Sequence, residues 1–293
     1  MNFSTQRQGE VFVFLAVLLW SIFPILTQLS YSQVSPFTSL TVSSLVSGLF
    51  FAGVMTLKRR WSEIINFQAV KYALLATFFV GIIYYLLYFL SLKYSTVGNV
   101  SILALSETFF SFLLFHVWHK EYFPRVHIIG AGLILLGAVI VLVPSLSFFR
   151  LGDLLILFGA AIVPFGNLFV QKARKLISTE TIMFIRGMTS SLVIFILSWL
   201  LSVASPSTQI TSSMPFLITN GILIGLSTML WVEGIHRLPV TKANALSSLG
   251  PLITLLIVWL VYKTAPSLWQ LLAFVPMFFG VMLISKKITP AKA

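Results

Sequence analysis

The sequence predicts an all-α integral membrane protein of ten transmembrane helices, arranged as two inverted five-helix repeats. Three observations carry that prediction. Of 293 residues, 58% are hydrophobic and only 9% are charged, whereas an ordinary soluble domain carries roughly 25% charged residues. The mean hydropathy is +1.00, and the apolar runs have the roughly 17 to 25 residues a helix needs to cross about 30 Å of hydrocarbon. An ungapped offset of 143 residues also lays the second half of the chain on the first.

Taken in order, the apolar runs place spans at 11–30, 37–57, 70–91, 97–118, 127–144, 152–170, 180–201, 214–235, 241–262 and 268–285. The first follows Arg7 and runs to Leu29 without a small-x-small cleavage site, so it reads as a retained span and not as a signal peptide. Ser35-Pro36 opens the second, and Pro124, Pro144, Pro206, Pro215, Pro239 and Pro266 punctuate the later connections. These connections are short, so no extramembrane domain fits. Residues 1–149 form the first five-helix repeat and 150–293 the second, within one membrane domain.

The net charge of +12 resides in the connections, where basic residues orient helices and face anionic lipid. With a cytoplasmic N-terminus, 15 basic residues fall inside and three (Lys93, Arg150 and Lys263) outside, with Arg186 inside a span. That asymmetry predicts both termini cytoplasmic. No soluble basic domain exists to bind nucleic acid. The chain has no cysteine, which excludes disulfides, thiolate catalysis and cysteine-ligated metals.

The repeat is legible residue by residue. Leu92-Lys93-Tyr94 falls on Ile235-His236-Arg237, Gln28 on Gln171, Tyr88 on Trp231 and Gly137 on Gly280. Five spans per half is odd, so the second half crosses the membrane in the opposite sense, as in many transporters.

Two stretches carry a family resemblance: Leu92-Lys93-Tyr94-Ser95-Thr96-Val97-Gly98-Asn99 leading to Leu105-Ser106-Glu107, and His236-Arg237-Leu238-Pro239-Val240-Thr241-Lys242-Ala243 leading to Leu249-Gly250-Pro251. Together with Leu18-Leu19-Trp20 and Pro36, they resemble the paired signature of the drug/metabolite transporter superfamily, EamA-type. The chain departs from that pattern at Thr108, where proline is usual, at Ser43, where arginine is common, and at Thr264, where an acidic residue is frequent. The resemblance implies a secondary transporter, an exporter of an amino acid or related small metabolite in the bacterial inner membrane. It implies a lipid bilayer and a small-molecule substrate as partners, protons as a possible coupling ion, and no cofactor.

Helical spacing selects the candidate site residues. Thr77, Gly81, Tyr84 and Tyr88 recur at i, i+4, i+7 and i+11 in span three, with mates Asn220, Ile224, Ser227 and Trp231 in span eight. Ala104, Glu107 and Ser111 share a face of span four, Asn244, Ser247, Pro251 and Thr254 one of span nine, and Pro164, Asn167 and Gln171 one of span six. Such polar and small stripes wall either a packing seam or a watered cavity. Glu107 lies roughly 15 Å of helix from either end of its span. It reads as a proton-coupling or amine-binding carboxylate, or as a neutral side chain bonded to Ser111 or a backbone carbonyl. Tyr84, Tyr88 and Trp231 read as an aromatic binding wall or as packing, with Ser227, Asn244, Ser247 and Asn167 as further cavity candidates.

Glu233 precedes Arg237 by four residues, the favourable order for an i, i+4 pair, and the two form a structural pair or a gate. Arg186 sits near the start of span seven, from which its guanidinium can reach headgroups. His116, His119 and His127 surround one connection but, beyond Glu121, lack a ligand to complete a metal set, so they read as interfacial. Pro24, Pro164 and Pro251 interrupt helix hydrogen bonding inside spans. No Walker-type loop, Gly-x-Ser-x-Gly elbow or His-Glu-x-x-His motif is present, which disfavours an ATP-driven pump and an intramembrane enzyme. A carbonyl filter or charged ring for a channel is equally lacking.

Overall fold

The computed structural model describes residues 5–118, 125–145, 150–238 and 240–285. Its helices are α1 (Thr5–Ser30), α2 (Pro36–Leu57), α3 (Phe67–Ala76), α4 (Tyr85–Tyr94), α5 (Val97–Ala104), α6 (Ser106–Trp118), α7 (Arg125–Leu142), α8 (Leu151–Arg174), α9 (Thr179–Leu200), α10 (Ser207–Ile235), α11 (Val240–Ser247), α12 (Gly250–Tyr262) and α13 (Leu268–Ser285). Three spans are composite. The third joins α3 to α4 through a π-helical stretch at Thr77–Tyr84, the fourth joins α5 to α6, and the ninth joins α11 to α12. No strand occurs among the described residues. The fold is a ten-helix membrane bundle of two inverted repeats.

Hydropathy located each span but not each helix end. The third span runs from Phe67 to Tyr94 and the eighth begins at Ser207, seven residues before the apolar run. Hydropathy reports hydrocarbon, whereas a helix bonds its own backbone on either side of the lipid boundary, even where polar side chains also take its carbonyls. Thr211 Oγ1, for instance, donates to the Ser207 carbonyl at 3.0 Å. Side-chain caps set several starts. Ser35 accepts from the Thr38 amide, and its repeat mate Ser178 accepts from the Thr181 amide.

The packing obeys a two-fold relation between the halves. Span two lies on span seven, four on nine and five on ten, while one pairs with eight and three with six. Exchanging the halves maps this set onto itself. Individual contacts obey it too. A Cβ on Gly280 would stand 2.6 Å from the Gly130 carbonyl, and one on Gly137 would stand 2.7 Å from the Ala273 carbonyl; 130 maps to 273 and 137 to 280. Small residues let these backbones touch, the usual source of helix association in lipid. The main core is a band of apolar side chains from both halves, including Phe23, Phe89, Ile102, Ile134, Ile156 and Met277.

Because ten crossings alternate, α1 begins and α13 finishes at one end of the bundle, called here the near end. All four ion pairs among the described residues lie there: Lys58–Glu180, Arg60–Glu63, Arg237–Glu233 and Lys242–Glu10.

Candidate functional site

The fourth and ninth spans break at the same repeat position. α5 stops at Ala104, and Leu105 makes a tight turn in which its amide bonds the Ile102 carbonyl and the Thr108 amide bonds the Leu105 carbonyl. α11 stops at Ser247 and α12 starts at Gly250. Pro251 explains the second break, since proline lacks the amide hydrogen and suits the first turn of a helix. The first occurs without proline. Discontinuous helices of this kind expose backbone only where it lines a cavity or is packed in protein.

Glu107 stands in the first turn of α6, where the partial positive charge of a helix N-terminus favours a carboxylate. Its Oε1 accepts a hydrogen bond from Asn167 Nδ2 at 3.3 Å. The partner is thus an amide on α8, one turn beyond Pro164, and not Ser111 or a backbone carbonyl. A cavity of ≈350 Å³ opens beside Glu107, between spans four, nine and ten, and Ser111, Ser247 and Ser248 supply further polar lining. Ser247 Oγ is sealed from solvent and has no hydrogen-bond partner, so the wall retains unused polar capacity. A second cavity of ≈350 Å³ lies at the far end, lined by Asn99, Arg150 and Gln270, away from Glu107.

The structure therefore brings Glu107, Asn167 and Ser247 together, with Tyr84 in electrostatic reach of the carboxylate. Tyr88 does not line that cavity. It is buried in the core, its ring 5.8 Å from Phe23 and 5.8 Å from Tyr84. Trp231 packs on Trp20 at 5.3 Å. Ser227 is buried, with its hydroxyl donating to the Ile224 carbonyl. The single face drawn through Thr77, Gly81, Tyr84 and Tyr88 does not exist. Residues 77–84 wind as a π-helix, whose i→i+5 bonding abolishes the α spacing. The side chain of Asn244 lies outside the described residues, as do that of His116 and the whole of His119 and Glu121.

Glu233 and Arg237 form the expected pair, and Arg237 also donates to the Glu233 carbonyl at 2.7 Å and covers the Phe12 ring. Arg186 does not snorkel to the headgroups. It turns inward, its Cγ 2.9 Å from where a Cβ on Gly81 would stand, and lines an interior cavity. Depth along a helix is legible in sequence, but the side of the helix that meets its neighbours is not.

Two carboxylates carry structural work that the sequence reading did not single out. Glu63, between spans two and three, accepts from the Ser178 amide and the Thr181 hydroxyl at the start of α9. Burial pushes its carboxyl up, but those bonds and the Arg60 charge outweigh burial and hold it below the usual carboxylate range. Asp153, buried at the far end, is met by the Ser95 hydroxyl and by Asn99 Nδ2 at 3.4 Å. The repeat could have found it: 153 and 99 map to 10 and 242, and Glu10–Lys242 is an ion pair at the near end.

Comparison with known proteins agrees with this geometry. The model of the EamA-like transporter family matches twice, over residues 7–143 and 150–286, so the two matches are separated by the same 143 residues that relate the halves. Among solved structures, one described only as "Crystal structure of protein" superposes with a TM-score of 0.66, covering 95% of this chain and 97% of its own at 18% identity. At that identity the likeness concerns the fold. A search among curated proteins finds no match. Matched along both halves, with its fourth and ninth spans broken at equivalent places around a polar cavity, this multi-pass membrane transporter belongs to the EamA-like transporter family.

Proposed function

We propose that the protein is a secondary transporter, working as an exporter of a small metabolite such as an amino acid or related compound, by alternating access between its two inverted repeats. Both termini are cytoplasmic in a bacterial inner membrane, a reading that the crowding of basic residues at the near end supports. The observation that carries it is the pairing of Glu107 with Asn167 beside a cavity of ≈350 Å³ that reaches Ser285 at the end of α13. A carboxylate inside the membrane is expensive, and is kept where it faces water, a partner or a cargo. In this reading Glu107 exchanges protons or binds a substrate ammonium, while Asn167 orients it. Ser247 on the ninth span and Ser111 on the fourth form the polar wall beside it. Glu233 and Arg237 close the near end.

Proteoliposomes preloaded with an amino-acid panel test it. Exporter function predicts saturable uptake of labelled substrate driven by unlabelled substrate on the other side, which a channel does not give. Glu107→Gln lowers that flux at least tenfold or flattens its pH dependence while the protein remains folded and inserted. Wild-type flux with an unchanged pH profile removes the role given to Glu107.

A further inference from the structure

The pseudo-two-fold axis passes through a second, smaller polar site. Its lining falls into repeat mates: Ser47 with Ser190, Gly81 with Ile224, and Tyr85 with Thr228. A cavity whose walls are exchanged by the symmetry lies on the axis, at the meeting of spans two, three, seven and eight. Its chemistry is not symmetric. Arg186 enters it from span seven, whereas the mate position, Ser43, is fully buried and takes part in a neutral network with Asn220 Nδ2 at 3.3 Å and the Leu217 carbonyl.

Arg186 has no counter-charge among the described residues. The chain has seven acidic residues, of which Glu121 lies outside the described residues, and the other six are engaged elsewhere. Glu10, Glu63, Glu180 and Glu233 hold Lys242, Arg60, Lys58 and Arg237. Asp153 takes Ser95 and Asn99, and Glu107 takes Asn167. Meanwhile Arg186 Nε and Ser190 Oγ, both lining the cavity, are sealed from solvent and have no hydrogen-bond partner. A guanidinium without an anion, its Nε sealed beside an idle hydroxyl, is costly unless something polar comes in.

We propose that Arg186 and Ser190 form a carboxylate-binding site on the pseudo-two-fold axis, which takes the anionic end of the transported molecule. The guanidinium offers parallel N–H donors matched to a planar carboxylate, and Ser190 adds an O–H. The cavity of ≈30 Å³ is large enough for one or two water-sized groups, so it admits the charged end of a cargo and not its body. Tyr85 lines the same cavity as Arg186. This inference rests on the transporter reading for the source of the anion. The site itself is tested without flux.

The test uses the purified full chain in dodecyl maltoside, with melting followed while chloride is replaced by isobutyrate at constant sodium. Isobutyramide is the neutral control of the same shape. A ligand that binds only the folded state raises its melting temperature. Isobutyrate is expected to raise it saturably and isobutyramide is not, and Arg186→Gln is expected to shift half-saturation at least tenfold. Should that variant fail to fold, Arg186→Lys takes its place and shifts half-saturation at least threefold, because an ammonium cannot offer two parallel bonds. An identical titration in the variant, an equal response to the amide, or no saturable response, which leaves the cavity to water, overturns the proposal. So does stabilisation by phosphatidylglycerol alone, which assigns the counter-ion to a lipid headgroup. A missing isobutyrate response with intact counterflow removes this site only; a positive response without counterflow removes the transport reading only.

Discussion

In the fourth span the half-helix α6 opens on Ser106-Glu107-Thr108; in the ninth, the matched residues are Leu249-Gly250-Pro251. The two spans share a backbone plan, an eight-residue piece followed by a thirteen-residue piece. Only one has the proline that would force such a break, and only the other has a carboxylate. Arg186 and Ser43, or Asp153–Asn99 and Glu10–Lys242, repeat the lesson. Inverted halves keep the contact and change the chemistry at it, so the architecture is two-fold while the charge is not.

If the break in span four belongs to the architecture, proline should be tolerated at its mouth and nowhere beyond. The Thr108 amide makes a single tight-turn bond, to Leu105 at 3.1 Å, so Thr108→Pro is expected to cost about 1 kcal/mol. Ser111→Pro lies inside α6, where proline removes an i→i−4 bond and clashes with the preceding turn, and is expected to cost about 3 kcal/mol or more. Thermal unfolding of both variants in detergent decides it. Equal losses would mean that α5 and α6 are one helix bent by its surroundings.

Much of this was legible in the sequence because lipid leaves few choices: a helix must be long and apolar, and hydropathy finds it. The offset located the halves because close contacts such as Gly137 and Gly280 preserve small residues in both. Three features were hidden. The break at Leu105 has neither proline nor glycine to mark it. The π-helical wind of 77–84 changes which side chains share a face, so the spacing from Thr77 to Tyr88 misled. The inward turn of Arg186 depends on a neighbour, Gly81, whose missing side chain makes room for it. Of the candidate site, Glu107, Asn167 and Ser247 were found as polar members of separate stripes. Their convergence required the packing of three spans.

The far end offers a smaller test of the same asymmetry. Asp153 is 1% exposed and met by two side chains, whereas its mate Glu10 is an accessible partner of Lys242. Asp153→Ala leaves Ser95 and Asn99 facing a void and is expected to cost about 1 to 3 kcal/mol. Glu10→Ala removes an exposed ion pair and is expected to cost less than about 1 kcal/mol. Melting of the two variants side by side measures the difference, and equal losses would show that the far-end pair is no more than its near-end counterpart.

The smallest effect concerns the position opposite Glu107. A Cβ at Gly250 would meet Val17 at 3.6 Å and Ser21 at 3.8 Å, ordinary contacts, whereas one at Gly280 would meet the Gly130 carbonyl at 2.6 Å. Gly250→Ala is therefore expected to stabilise by about 0.4 to 1 kcal/mol, through the unfolded chain's loss of freedom. Gly280→Ala is expected to destabilise by about 1 to 3 kcal/mol, through overpacking against backbone. Melting of both variants reads the two signs. A loss at 250 comparable to that at 280 would mean that packing imposes the glycine and that the ninth span has no room for a side chain there. A gain means that the first atom of a side chain fits, and that the absence of a second carboxylate opposite Glu107 is a matter of chemistry and not of space.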